Sequence, residues 1–480
     1  MASRRHPAQA IAFASSDSPK LFIAIAETVY AISATTHETV ATWKAPPAPI
    51  QGKPQSQALE VVGKAEEDGD AAEALPTGSE EVPATVTATE ENTESTDVAM
   101  EDSPPSTRNQ KKSEKRKAKN AAKPPPPPQP NYIGQLVPIV DRNLLAITTL
   151  EDKTLRLHNI DTLEVVKEWV LHKRPSAITL TPSTIIVGDK FGDVFSYEIP
   201  TSLETEEGNE GKLLLGHVSL LTTVTTATSL PPSQQNAQNG GSGDIKRYII
   251  TADRDEHIRI TNYPLTHVIH GFCLGHTAFV NRLLITKDNL LVSGGGDDWL
   301  GLWNWKEGKL LQKMDMRTPV DSLLGLEDAK ALTEKLRGYN KKRKRREEGE
   351  PEVDITIAVT DILEVDNREV IVILEGIPAM LRYKYTADSK LEYAGYIKAA
   401  GSITSLAVEG SRVYFGADSE EGALVSYADI ADGETTATDF FDGKEFEGQT
   451  VEAVEIDAVN ERLYTAEAFR KGFGGFMEDD

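Results

Sequence analysis

Residues 291–303 read Leu-Val-Ser-Gly-Gly-Gly-Asp-Asp-Trp-Leu-Gly-Leu-Trp, and a related pattern recurs elsewhere in the chain. Residues 249–261 align with this stretch without gaps, and residues 146–158 and 187–197 fit the same frame. In the alignment of residues 291–303 with residues 249–261, Ser293 corresponds to Thr251, Asp297 to Asp255 and Trp303 to Thr261. Each copy has β-branched or aromatic residues on both sides of a short turn, which is typical of two antiparallel strands. Repeats of this kind bury their apolar faces by stacking, so the sequence predicts an all-β repeat protein.

Two copies are preceded by a Gly-His pair, namely Gly216-His217 and Gly275-His276. With this pair the pattern resembles the WD repeat, in which a histidine, a serine or threonine, an aspartate and a tryptophan of one blade form a buried hydrogen-bonded chain. The resemblance assigns the complete set to His276, Ser293, Asp297 and Trp303. A buried aspartate is costly unless hydrogen bonds satisfy it, which explains the histidine beside it. We therefore expect these four residues to form a structural tetrad in a WD-repeat β-propeller.

The spacing of the strand-like runs predicts a seven-bladed propeller. The expected blades cover residues 8–43, 133–170, 175–215, 216–272, 275–314, 318–397 and 401–429. Residues 451–469 are expected to close the ring.

The segment 51–131 differs in composition from the rest of the chain. It is acidic at first, then basic, and then contains a run of five prolines. Such a segment buries too little apolar surface to offset the entropy lost on ordering. We expect a long disordered insertion between the first blade, in residues 1–50, and the other blades, in residues 132–470. Two loop insertions, 230–244 and 327–353, and a flexible acidic tail, 471–480, are expected as well.

The composition excludes several classes of protein. The chain has 480 residues, a net charge of -24 and one cysteine, Cys273. A single cysteine excludes a disulfide framework and a multi-cysteine metal site. No run of about 18 apolar residues is present, so we expect no membrane-spanning helix.

Motifs for catalysis and cofactor binding are missing from the sequence. The glycine-rich stretch 294–298 lacks the Lys-Ser/Thr and the helix that follow in a P-loop. No Gly-x-Gly-x-x-Gly opens a helix, and no His-Glu-x-x-His is present. His158, at a tryptophan position of the repeat, is interpreted as a packed substitute rather than a base. We expect no catalytic residue, no cofactor and no metal.

Three stretches carry a more specific resemblance, and they lie at 174–197, 215–259 and 271–280. The string Thr-Ala-Asp-Arg-Asp-Glu-His-Ile-Arg at 251–259 is more specific than a generic WD turn. Together they resemble the non-catalytic WD-repeat subunit of the eukaryotic, fungal-type tRNA (guanine-N7-)-methyltransferase. The resemblance implies an accessory subunit that forms a heterodimer with a separate S-adenosylmethionine-dependent catalytic subunit and stabilises it. That subunit forms N7-methylguanosine in the tRNA variable loop, and tRNA is engaged mainly through the complex.

The resemblance also implies which residues dock the catalytic subunit. It assigns basic contacts to Lys190 and Arg259, with Asp253, Arg254 and Glu256 in the same turn to orient them. An alternative for Arg259 is pairing within its own blade, as expected for the equivalent Arg156.

Two basic runs leave the cellular role partly open. Residues 111–123 and 341–346 are typical of nuclear localisation or nucleic-acid segments, and solvated charge runs are the alternative. We expect a nuclear protein. The rival function is a nuclear WD-repeat scaffold in ribosome assembly or chromatin, while a propeller hydrolase has no supporting pattern.

Overall fold

The computed structural model describes residues 6–48, 130–200, 210–230, 245–324 and 357–469, with gaps at 367, 387, 389, 420–421, 431–434, 445 and 447–462. The predicted insertion and both predicted loop insertions therefore lie almost wholly outside the described residues, as does the predicted tail.

The described strands form seven antiparallel sheets of four strands each, and every sheet uses four consecutive strands of the chain. Blade 1 contains β1 (Ala10–Ala14), β2 (Lys20–Ile25), β3 (Thr28–Ser33) and β4 (Thr39–Lys44). Blade 2 contains β5 (Ile133–Ile139), β6 (Leu144–Thr149), β7 (Thr154–Asn159) and β8 (Val165–Val170). Blade 3 contains β9 (Pro175–Leu180), β10 (Thr184–Asp189), β11 (Asp193–Glu198) and β12 (Lys212–Gly216). Blade 4 contains β13 (Leu221–Thr228), β14 (Arg247–Asp253), β15 (Ile258–Tyr263) and β16 (Ile269–Cys273).

The second half of the ring is built in the same way. Blade 5 contains β17 (Val280–Ile285), β18 (Leu291–Gly295), β19 (Trp299–Asn304) and β20 (Lys309–Asp315). A short helix, α1 (Arg317–Leu323), follows it. Blade 6 contains β21 (Val359–Val365), β22 (Glu369–Leu374), β23 (Ala379–Tyr385) and β24 (Leu391–Lys398). Blade 7 contains β25 (Ser402–Glu409), β26 (Arg412–Asp418), β27 (Val425–Asp429) and β28 (Thr438–Asp439). The prediction of a seven-bladed β-propeller is confirmed.

The apolar core lies between neighbouring blades. The second strands, such as β2, β6 and β10, are buried along their whole length, whereas the fourth strands, such as β8, are largely exposed. One cluster joins Leu155 and Leu157 of blade 2 to Ile185 and Val187 of blade 3. Each blade therefore buries its faces against the blades beside it. Among the described residues, no helix is long and apolar enough to cross a membrane.

The prediction for residues 451–469 lies mostly outside the described residues, which include only 463–469 of that segment. Blade 7 finds its fourth strand in β28, so the described part of that segment adds no strand and forms a short 3-10 helix, Ala466–Phe469. Blade 7 meets blade 1 through the hydroxyl groups of Thr404 and Ser405, which donate hydrogen bonds of 2.5 Å and 3.2 Å to the Ala8 carbonyl.

Candidate docking surface between blades 3 and 4

Blade 5 contains a complete hydrogen-bonded tetrad. His276 contacts Asp297 through Nδ1 at 2.7 Å and Ser293 through Nε2 at 2.7 Å. The indole Nε1 of Trp303 donates to the Ser293 hydroxyl at 2.8 Å. Burial by itself raises the pKa of Asp297, but hydrogen bonds from His276 and Thr277 more than compensate, and the pKa lies below its ordinary value. All four side chains are therefore engaged in holding the blade together.

Blade 4 contains a partial version of the tetrad. His217 contacts Thr251 at 2.7 Å and Asp253 at 3.0 Å. The register of the two hairpins agrees with the gap-free alignment of Asp255 with Asp297, but the aspartate that contacts the histidine in blade 4 is Asp253. The aspartate that follows β18 lies four residues after its serine, whereas Asp253 lies two residues after Thr251. Asp253 is buried and binds a histidine of its own blade, so it has a structural role in blade 4.

The fourth member of the blade 4 tetrad is replaced. In blade 5, Gly301 lies opposite Ser293 and leaves room for Trp303, because a Cβ at Gly301 would lie 2.4 Å from the indole Nε1. In blade 4, Arg259 lies opposite Thr251, and the tryptophan position holds the small Thr261. Blade 4 therefore has a large side chain where blade 5 has glycine, and a small one where blade 5 has tryptophan.

Arg259 reaches the glycine that corresponds to the one beside the tryptophan in blade 5. Its Nη1 donates a hydrogen bond of 3.1 Å to the carbonyl of Gly216, the glycine of the Gly-His pair. In blade 5 the indole lies against the corresponding Gly275, whose Cβ would be 3.4 Å from Cη2 of Trp303. The guanidinium in blade 4 and the indole in blade 5 thus contact corresponding glycines, Gly216 and Gly275.

Arg259 and Arg156 have different surroundings. Arg156 is buried and forms ion pairs with Asp152 at 2.7 Å and Glu168 at 2.6 Å, both in its own blade. Arg259 is half-buried, its Nε has no hydrogen-bond partner, and no carboxylate of the described residues lies within 4.0 Å of it. Burial lowers the pKa of the Arg259 guanidinium from its ordinary value. Pairing within the blade is therefore seen for Arg156 and not for Arg259.

Lys190 lies in the turn between β10 and β11 of blade 3. Its Nζ is 5.6 Å from the ring centre of Phe191, and the Nζ of Lys173 is 4.4 Å from the same ring. The turn is tied to blade 4 because the His217 amide donates to the Gly192 carbonyl at 2.9 Å. His217 directly follows the glycine that receives Arg259. The structure thus brings Lys190 and Arg259 to the same stretch of chain.

Arg254 and Glu256 lie in the turn between β14 and β15, and both are half-buried. The Arg254 amide donates to the Leu220 carbonyl at 2.9 Å, and its Nε is 3.9 Å from Oδ1 of Asp255. Glu256 has a φ of 76°, a backbone conformation that few residues other than glycine adopt. Both side chains remain accessible beside the junction.

Buried polar atoms without a hydrogen-bond partner are frequent in blades 3 and 4. Eleven buried side-chain polar atoms in the described part of the chain have no hydrogen-bond partner, and six of them lie in residues 174–261. These six belong to Arg174, Asp189, Ser219, Arg254, Arg259 and Thr261. Most buried polar groups in folded proteins are paired, so these six atoms are unusual among the described residues. Sequence reasoning missed this feature and also missed Phe191, an exposed aromatic residue directly after Lys190.

The remaining candidate groups show packing roles. His158 is buried, its Nδ1–H donates to the Leu163 carbonyl at 2.8 Å, and Trp43 packs against its ring. Burial lowers the pKa of His158 to about 4, so the ring is neutral at pH 7. Cys273 is a buried free thiol. Within the described ranges, no group of three or more His, Cys, Asp or Glu residues is arranged to hold a metal ion.

Comparison with known proteins gives a consistent family. The family model described as the tRNA methyltransferase TRM82 WD40 domain matches residues 21–211 and 200–441. The chain is 41% identical over 220 residues to the tRNA (guanine-N(7)-)-methyltransferase non-catalytic subunit of Aspergillus oryzae, an alignment that covers 35% of this chain and 43% of that protein. The same subunit of Debaryomyces hansenii is 30% identical over 315 residues, with 63% of each chain covered. That of Saccharomyces cerevisiae is 35% identical over 201 residues, with 40% and 42% covered. The chain spans about half the length of the curated relatives it matches.

Proposed function

Because the chain belongs to the family of tRNA methyltransferase TRM82 WD40 domains, we propose that it is the non-catalytic accessory subunit of a tRNA (guanine-N7-)-methyltransferase. In this function it binds the S-adenosylmethionine-dependent catalytic subunit as a heterodimer and stabilises it. The tRNA is engaged mainly through the complex. The names of the relatives support this function over a ribosome-assembly or chromatin scaffold, for which no observation speaks.

The docking surface of this proposal is the junction of blades 3 and 4, with Lys190 and Arg259 as its cationic contacts. The observation that carries it is the state of Arg259, a half-buried cation with no carboxylate nearby among the described residues. A partly desolvated charge of this kind is costly until an opposite charge reaches it. A carboxylate of the catalytic subunit supplies that charge.

Arg254 and Glu256 belong to the same surface, since they lie in the turn next to Asp253. Asp253 acts indirectly, by fixing His217 and with it the Gly-His pair that receives Arg259. The nuclear location is also part of the proposal, and it rests on the basic runs at 111–123 and 341–346, which lie outside the described residues.

The test is co-expression of the catalytic subunit with the Lys190→Glu/Arg259→Glu variant. Removing one partner of a desolvated ion pair costs about 2–5 kcal/mol, so Kd should rise by about 30-fold or more. Methylation of tRNA should fall with complex formation. The matched control is Lys44→Glu/Lys398→Glu, which makes the same charge change on the exposed outer strands of blades 1 and 6.

Both variants must first show the melting curve of the wild-type chain. If the folded Lys190→Glu/Arg259→Glu variant still co-elutes with an active methyltransferase at the wild-type Kd, the docking surface lies elsewhere. If the wild-type chain itself fails to bind the catalytic subunit, the proposed function is wrong.

A further inference from the structure

The outer edge of blade 4 exposes a dense group of apolar side chains. Fifteen large apolar residues are exposed among the described residues, and five of them fall within residues 265–274. This blade 4 strip consists of Leu265, Val268, Ile269, Phe272 and Leu274, which are between 41% and 63% exposed. Single exposed apolar residues are ordinary, but a contiguous group indicates an interaction site.

The strip adjoins Arg259 directly. In the register of β15 and β16, Arg259 lies opposite Phe272 and Thr261 lies opposite Ile269. Side chains of directly opposed residues project from the same face of a sheet, and a bulge between Ile260 and Thr261 keeps both pairs on that face. The cation, the unpartnered Thr261 hydroxyl and two exposed apolar side chains therefore share one face of blade 4.

The corresponding position in blade 5 is polar. There Gly301 lies opposite Lys313, whose Nζ is 3.8 Å from the ring centre of Trp299. A lysine covers the apolar surface with its stem and keeps its charged end in water. Blade 4 has Phe272 at this place and lacks that covering.

We propose that the blade 4 strip is the apolar half of the docking surface for the catalytic methyltransferase subunit. It receives a partner segment whose apolar side chains flank the carboxylate that pairs with Arg259. This inference rests on the proposed function, because it extends the same junction from blade 3 along the edge of blade 4.

Charge complementarity favours this occupant over a second copy of the chain. The surface pairs apolar residues with a cation, so it fits a partner with an acidic group among apolar ones. Two copies of this chain, each with a net charge of -24, repel one another. Apolar contacts around an ion pair exclude water and strengthen it, which gives the strip a definite role beside Arg259.

The test compares two pairs of serine substitutions. Ile269→Ser/Phe272→Ser removes the strip next to Arg259, and Val165→Ser/Val170→Ser removes exposed valines at similar positions on the outer strand of blade 2. Binding of purified catalytic subunit to the full chain is measured at low and high salt. We expect the first variant to raise Kd by about tenfold or more at both salt concentrations, as for residues central to an interface. The control should bind like the wild-type chain.

The outcomes separate this inference from the proposed function. If Ile269→Ser/Phe272→Ser binds like the wild-type chain while Lys190→Glu/Arg259→Glu does not, the strip proposal is overturned and the proposed function stands. If the wild-type chain does not bind the catalytic subunit, both are overturned. Sedimentation that shows a wild-type dimer and a monomeric serine variant would assign the strip to a second copy instead. Should the double variant lose its melting transition, Leu274→Ser, on a more exposed residue, decides the question by the same binding assay.

Discussion

Replacing Trp303 by alanine should lower the free energy of unfolding by about 3–5 kcal/mol, the usual cost of removing a buried aromatic side chain. Trp303 has no exposed surface, and it shares an apolar cluster with Ile250 and Ile258 of blade 4. The substitution therefore leaves a cavity between two blades. It also removes the indole N–H that donates to Ser293, which costs about 1 kcal/mol within that range.

Asp297→Ala should be destabilising for a different reason. The variant leaves His276 and the Thr277 hydroxyl without their shared acceptor in a buried position. Unmet buried polar groups cost about 1–3 kcal/mol each.

Trp299→Ala is the matched control for Trp303→Ala, because Trp299 stacks on His276 with ring centres 4.4 Å apart but is only half-buried. Trp299→Ala should lower the free energy of unfolding by clearly less than Trp303→Ala does.

The assay is urea denaturation of the purified full chain, followed by circular dichroism so that the missing indole does not affect the signal. Free energies of unfolding are compared at pH 7. Values within about 1 kcal/mol of the wild-type chain for both Trp303→Ala and Asp297→Ala would refute the account of the tetrad, because such small effects are usual for surface substitutions.

Two further predictions concern pH and the insertion. Burial lowers the pKa of His158 from its ordinary value of 6.5 to about 4, so the unfolded chain binds a proton first as the pH falls. The free energy of unfolding should therefore fall by about 3 kcal/mol as the pH falls from 6.5 to about 4. In urea denaturation, His158→Gln should make this pH dependence weaker. Equal pH dependence of the free energy of unfolding in the two proteins would contradict the prediction. Deleting residues 51–129 with a short linker should leave the melting temperature within about 2 °C, because the composition of this segment predicts that it buries little apolar surface. The two ends already meet, since Asn131 Nδ2 donates to the Pro46 carbonyl at 2.9 Å, and a large drop in melting temperature would show that a structural element was removed.

The number of blades could be predicted from the sequence, because each blade repeats the same local pattern of strand, turn and strand. The blade 5 tetrad could be read in the same way, since all four residue types occur at the expected spacing. The aspartate of blade 4 could not, because the hairpins of blades 4 and 5 have the same length and differ in which aspartate contacts the histidine. Asp253, the last residue of β14, contacts His217 there.

Contacts between distant parts of the chain were beyond sequence reasoning. The Arg259 guanidinium bonds to a carbonyl 43 residues earlier in the chain, and no local pattern indicates that geometry. The same holds for Tyr464 and Ala466, which bind Asp418 of blade 7 and Glu375 after β22. These residues pack on blades that are already complete, so strand patterns carry no signal for them.

The exchange of residues in blade 4 links its stability to its proposed function. A tetrad tryptophan provides buried apolar area and a hydrogen bond within the blade, and Thr261 provides neither to the same extent because its hydroxyl has no partner. His217 keeps its bonds to Thr251 and Asp253, so the blade is held without the indole. The Arg259 guanidinium donates a hydrogen bond to the Gly216 carbonyl. In the proposed function a partner carboxylate pairs with this charge, whereas a neutral partner would bury it unpaired at a cost of several kcal/mol. In the proposed function, blade 4 therefore presents a cation to an acidic partner where blade 5 has a structural tryptophan.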